Sequence, residues 1–264
     1  MPATSATSPL RATRTSAFLP KEHGSWSLAL EPLALGLIAA PSVAGGALAL
    51  ATVAAFFARR PLKALLASDG ATPRPGALPA FVLLAACSAA GLATVAALGG
   101  IAPLWPLLLA APCGVLFLHF DWQGESRAAA AELAGGTAFA LLPAALATLA
   151  GWHAPAALGL AAIMFARTLP TILTVRTCLR LNKSQPAAPF RPIAAAAGAL
   201  IGIGALAAFA LVPWIAVAGA FLLLARTGLL VSPARPAWSA RRIGFSEAVI
   251  GLLYVTAIGL ACHV

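Results

Sequence analysis

The chain has 264 residues, 61% of them hydrophobic and 9% charged, with a formal net charge of +10 and a mean hydropathy of +0.94. A soluble domain carries about a quarter charged residues, so an ordinary water-facing surface is excluded. A membrane also explains the positive charge better than nucleic acid does, because basic residues collect on the cytoplasmic flanks of spanning helices and meet anionic lipid there.

Residues 1–17 (MPATSATSPLRATRTSA) are rich in Ser, Thr and Pro and carry two arginines. They read as a disordered basic tail, ahead of a single transmembrane domain over 18–264. A cleaved signal is disfavoured, because the leading polar region is too long and Glu31-Pro32 interrupts the first apolar run. Nine apolar segments follow, near 25–41, 43–58, 78–98, 102–118, 129–150, 155–175, 193–211, 213–231 and 246–263. Each suits a helix crossing a hydrocarbon core about 30 Å thick. No ten-residue alternation of polarity suggests barrel strands. The expected fold is therefore an all-α polytopic membrane bundle of nine transmembrane helices.

Orientation follows from the basic residues. With the N-terminus in the cytoplasm, the inner segments hold Arg59, Arg60, Lys63 and Arg74, then Arg127, then Arg176, Arg180, Lys183 and Arg191, then Arg226, Arg235, Arg241 and Arg242. The outer connections near residues 42, 100, 152 and 212 hold no Lys or Arg. Arg167 alone is expected well inside the bilayer. The four cysteines (Cys87, Cys113, Cys178, Cys262) fall singly in apolar surroundings, so they read as packing residues.

The polar residues inside this apolar chain need a reason, since charge in a membrane is costly and faces a cavity or a partner. In the first segment His23, Ser27 and Glu31 recur every four residues and share one helix face, with Pro32 loosening the turn beside them. Glu31 and His23 are the candidate proton acceptors. In the sixth segment Arg167, Thr171 and Thr174 share a face, with Pro170 between them. Glu31 and Arg167 are expected to pair or to bind one ligand in common. The basic ends of the second segment (Arg59, Arg60) and of the sixth (Arg176, Arg180) suit phosphate or carboxylate. Together with Arg167 and Thr171 they form the candidate anion site. Asp121 and Glu125, four residues apart, are a low-ranking option for Mg²⁺ carrying a substrate phosphate; no metal site is assigned. His153 and His263 read as incidental. There is no P-loop, nucleophile–base pairing or dinucleotide fingerprint.

Pro20-Lys21-Glu22-His23-Gly24-Ser25-Trp26, Arg59-Arg60-Pro61-Leu62, Glu132-Leu133-Ala134-Gly135 and the stretch from Arg167-Thr168-Leu169-Pro170-Thr171 to Arg180 resemble the YwiC-like family of bacterial integral membrane proteins. Thr174 stands where that family usually has Tyr. The resemblance implies a multi-pass protein of the bacterial cytoplasmic (inner) membrane and brings no settled activity. A more distant resemblance, in helix number and orientation, is to the UbiA prenyltransferase superfamily. That superfamily holds an isoprenyl diphosphate through Mg²⁺ and Asp-rich motifs after the second and sixth helices. Here those positions carry the two basic clusters, and no DxxxD occurs.

Three readings follow. One is a UbiA-like bundle binding an anionic lipid or isoprenoid in a cytoplasm-facing cavity, as a transferase if it is an enzyme. The second is a transporter of a small anion, which Pro32 and Pro170 would suit. The third is an accessory subunit of a membrane complex or a homo-oligomer. Membrane lipids are partners in all three, and no cofactor is required.

Overall fold

A computed structural model describes residues 23–66 and 76–263, with side chains from Ala29 onward. The basic tail, Lys21, Asp69, Arg74 and the side chains of His23 and Ser27 lie outside the described residues. Described are the helices α1 (His23–Ala39), α2 (Val43–Leu66), α3 (Ala77–Gly99), α4 (Trp105–Trp122), α5 (Ala129–Ala140), α6 (Leu142–Leu149), α7 (Ala154–Asn182), α8 (Phe190–Ala208), α9 (Ile215–Val231) and α10 (Ala240–Ala261). No strand occurs among the described residues.

Seven of these segments are long and apolar enough to span a membrane. α5 and α6 together make one of them, Ala129–Leu149. α1 and α9 are shorter apolar helices of 17 residues each. The chain is a multi-pass integral membrane protein, and the nine expected segments appear in order. The break in the fifth has a local cause. Pro143 has no N–H to give the Phe139 carbonyl, so the chain tightens at Leu141, whose N–H bonds back to Ala138 O at 3.4 Å. The helix then restarts with Pro143 near its N-terminus, where the missing donor costs nothing.

Two segments are longer than expected. α2 runs on to Leu66 and α7 to Asn182, each beyond the apolar stretch. Arg59, Arg60, Lys63, Arg176 and Arg180 are therefore helical rather than in connecting loops. The spacing of basic residues at i and i+4 keeps them on one side of each helix, so hydropathy falls while helicity continues.

α1, α6 and α7 form the centre. α6 buries Leu142, Pro143, Ala144, Ala145, Leu146 and Ala147 in succession. α1 packs mainly on α10 and α6, while α7 packs on α5, α6, α8 and α9. α3 packs chiefly on α2, and exposes Leu78, Val82, Leu83 and Leu92. In a bilayer such surfaces meet lipid tails, so helix association depends on close backbone approach rather than on hydrophobic burial. Gly91 shows this: a Cβ there would stand 2.9 Å from Ala51 Cβ and 2.8 Å from the Ala47 carbonyl.

Candidate functional site

The deeper of two charge clusters is built on Arg167, about 20 Å from either end of α7 at 1.5 Å per residue. Its guanidinium is enclosed, with the residue 2% exposed. Nε donates to Glu31 Oε2 at 2.8 Å and Nη2 to Glu31 Oε1 at 3.0 Å, a two-pronged pairing between α7 and α1. Nη2 also donates to the Glu247 backbone carbonyl at 2.9 Å, and Nη1 to Thr171 Oγ1 at 3.3 Å. The Tyr254 ring lies beside the guanidinium, 5.9 Å from its carbon to the ring centre.

A second glutamate and a second arginine complete the cluster. Glu247 on α10 brings Oε2 to 3.6 Å from Arg167 Nη1. On its other side Arg226 of α9 makes an ion pair with Glu247 Oε1. Arg226 also donates to Ser246 Oγ at 3.4 Å. The four charges thus run Arg226, Glu247, Arg167, Glu31 across α9, α10, α7 and α1. Among the described residues the cluster holds two arginines and two glutamates.

The two glutamates are held differently. Glu31 receives aligned hydrogen bonds from Arg167. Glu247 is buried and held from two sides, with Arg226 against Oε1 and Arg167 Nη1 3.6 Å from Oε2. Backbone geometry makes the crowding possible. A Cβ at Gly251, one turn after Glu247, would overlap the Glu31 carboxylate and the Arg167 guanidinium. Only glycine lets the ion pair lie against the α10 backbone.

Each of the two helices carries a proline near the pair and runs on through it. Pro32 follows Glu31 directly, and Pro170 stands three residues after Arg167. Pro170 leaves the Ala166 carbonyl without its usual donor. Thr174 Oγ1 donates to the Pro170 carbonyl at 2.7 Å and lies 3.0 Å from Thr227 Oγ1 of α9. Thr171 joins Arg167 as the helical spacing implied, whereas Thr174 turns to α9.

The second cluster lies at the basic face. Arg59 Nε is 3.4 Å from Asp121 Oδ2 and Lys63 Nζ is 3.3 Å from Asp121 Oδ1; Lys63 also donates to the Asp121 carbonyl. The Arg59 guanidinium sits over Phe117 and Phe56, at 4.9 and 5.3 Å. Arg176 Nη1 donates to Glu132 Oε2 at 2.7 Å and to the Arg127 carbonyl at 3.0 Å. The ends of α2 and α7 therefore each engage the α4–α5 hairpin, through different acids. Asp121 is buried and committed to α2, and Glu125 does not share its contacts. Arg60 is half-buried at the end of α2, and Arg180 is exposed near the end of α7. Arg235 reaches across to Asn182 Oδ1 at 3.1 Å and to the Leu181 carbonyl at 3.0 Å, which caps the last turn of α7.

Of the candidate residues, Arg167, Thr171 and Glu31 come together; Arg59 and Arg176 stand at separate ion pairs. Sequence reasoning overlooked Glu247 and assigned Arg226 to the basic flank, with Arg167 as the single intramembrane arginine. That expectation is corrected. Arg226 lies five residues inside the end of α9, with its side chain 12% exposed and paired to Glu247. The available signal was an arginine followed by Thr-Gly-Leu-Leu-Val, which places apolar residues on both sides of it. His263, read as incidental, has its Nε2 donating to the Ile38 carbonyl at 2.6 Å and so ties the end of α10 to α1.

Residues 19–147, about half of the chain, match the family model described as YwiC-like protein. The match takes in Pro20–Trp26, Arg59–Leu62 and Glu132–Gly135, three of the four stretches that carried the resemblance. Comparison with curated proteins and with solved structures finds no match, so the likeness to the prenyltransferase plan gains no support from a solved structure.

Proposed function

We propose that this chain, YwiC-like over residues 19–147, is a membrane transporter for a small anion, with Arg167 and Arg226 as its anion-binding groups. The observation that carries the reading is Arg167 itself. It is an enclosed guanidinium within the apolar part of α7, three residues before Pro170, gripped by an acid that itself directly precedes a proline in α1. Burying charge costs several kcal/mol per ion, so ionisable groups held inside spanning helices mark ion or substrate paths. The glutamates hold the arginines while the site is empty of substrate.

Uptake of labelled lactate, succinate and inorganic phosphate into proteoliposomes tests this. Uptake above protein-free vesicles is expected for at least one anion, with its loss in Arg226→Gln and in Arg167→Ala. No uptake of any of the three would overturn the reading.

One further observation favours a second use of the same protein, the binding of an anionic lipid or isoprenoid. An apolar crevice lined by Ala29, Leu33, Thr52, Val53, Phe56 and Phe139 lies between α1, α2 and α5. Phe56 also packs under Arg59, so a tail in the crevice would bring its anionic head toward Arg59 and Arg60. Native mass spectrometry of the purified protein checks this reading. Arg59→Gln with Arg60→Gln should strip a co-purifying anionic lipid, and an unchanged lipid would sink it.

A further inference from the structure

We propose that the start of α10 is a binding site for an anionic phospholipid, its phosphate on Arg241 and Arg242 and a tail along the outward face of the helix. The site shares no residue with the deep cluster or with the crevice beside Phe56, so it does not rest on the transport reading. Other cations of the basic face are already engaged. Arg59 and Lys63 meet Asp121, Arg176 meets Glu132, and Arg235 meets Asn182 and the Leu181 carbonyl. Arg241 and Arg242 are exposed in the first turn of α10 and, among the described residues, meet no acid. Glu247, the acid of the same helix, is buried between Arg167 and Arg226.

A fixed platform sets these two arginines apart. The Arg242 guanidinium lies over the Trp238 ring, 5.0 Å from its carbon to the ring centre. Trp238 packs on the cluster of Cys178, Leu230 and Ile243, which joins α7, α9 and α10. The Trp238 carbonyl accepts from Asn182 Nδ2 at 3.3 Å, and Ser239 Oγ accepts from the Arg242 N–H at 3.3 Å. A guanidinium that stacks through its face keeps the N–H groups of its edge for an anion, and phosphate accepts two of them side by side. The rest of the ligand follows from the same helix. Phe245, Val249 and Leu252 are exposed and recur at helical spacing after Arg241. From Arg241 to Leu252 this face runs about 16 Å at 1.5 Å per residue. That is the depth of one leaflet, half of a core about 30 Å thick. A soluble anion would leave the apolar face unused, whereas a phospholipid uses both parts. A zwitterionic head would bring an ammonium with no acid to meet, so the head must carry net negative charge.

Native mass spectrometry of the protein in detergent, titrated with phosphatidylglycerol, tests the site. Arg241→Gln with Arg242→Gln should weaken binding about thirtyfold, the product of two arginine contacts at a membrane surface. The melting temperature of the lipid-free protein should not change, since neither side chain holds an acid. Lys183→Gln with Arg191→Gln removes two exposed cations of the same face and should leave binding as it was. Binding should also persist in Arg59→Gln with Arg60→Gln, which separates this site from the crevice. Phe245→Ala keeps every charge and should still weaken binding. In the unmodified protein phosphatidylcholine should bind less tightly, and glycerol phosphate, a head without tails, should not displace the lipid. Equal losses in the three paired variants would reveal a diffuse film of charge and overturn the inference. Full affinity in Arg241→Gln with Arg242→Gln, or in Phe245→Ala, would overturn it too. So would displacement by glycerol phosphate or equal binding of the two lipids, and neither of these needs a variant.

Discussion

The same chemistry appears twice in this protein, at two depths. In the Arg167–Glu31 pair the side chains are 3% and 10% exposed; in the Arg176–Glu132 pair they are 37% and 31% exposed. The hydrogen bonds are similarly short, at 2.8 and 2.7 Å. Their consequences differ because the surroundings do. At the basic face water screens each charge, and an exposed pair is worth about 0–1 kcal/mol. In the membrane interior a guanidinium that loses its partner has nowhere to turn. Distance alone says little about what an ion pair does.

The largest expected effect comes from breaking the deep pair on one side only. Glu31→Leu leaves Arg167 facing fewer acids in an enclosed site, and should destabilise the protein by about 3–5 kcal/mol. Thermal unfolding in detergent measures it. Adding Arg167→Met to that variant should recover most of the loss, because no charge is then left stranded. A double variant no more stable than the single would show that the pair's worth is not mainly electrostatic.

Next is Gly251→Ala. The new methyl has no room beside Glu31 and Arg167, and overpacking of this kind costs about 1–3 kcal/mol. The control is Gly244→Ala on the same helix, where a Cβ meets nothing within 4 Å. Equal melting temperatures for the two variants would contradict the close approach of α10 to the ion pair.

Thr174→Val should cost less, about 1 kcal/mol, since it removes one hydroxyl and leaves the buried Thr227 hydroxyl without that partner. Thr174→Val combined with Thr227→Val should be no worse than the single change. The smallest effect belongs to the basic face. Arg176→Gln should lower stability by less than about 1 kcal/mol, and the difference should shrink as salt is raised. A loss as large as that of Glu31→Leu would erase the distinction between the two depths.

Much of this was legible in the chain. Glu31 and Arg167 stood out because each interrupts an apolar run next to a proline, and the helical period put Thr171 beside Arg167. Glu247 and Arg226 did not stand out. Glu247 follows Arg241 and Arg242 closely enough to look like part of a polar flank, and Arg226 fits the pattern of basic residues at one face. Only the way α9 and α10 lean on α7 and α1 draws both into the interior. The extent of α2 and α7 was likewise hidden, because a hydropathy limit marks where lipid ends and not where a helix ends.

The sequence by itself determined the solvent, the order of the spans and the side on which basic charge collects. Those properties are local: each depends on some twenty consecutive residues and the groups that flank them. The tertiary structure decided which charge meets which. Arg167 finds Glu31 across 136 residues and the Glu247 carbonyl across 80, and no pattern along the chain encodes those meetings. They depend on which helices are neighbours and how far each is shifted along its axis, and on one glycine that lets two of them close on a pair of charges.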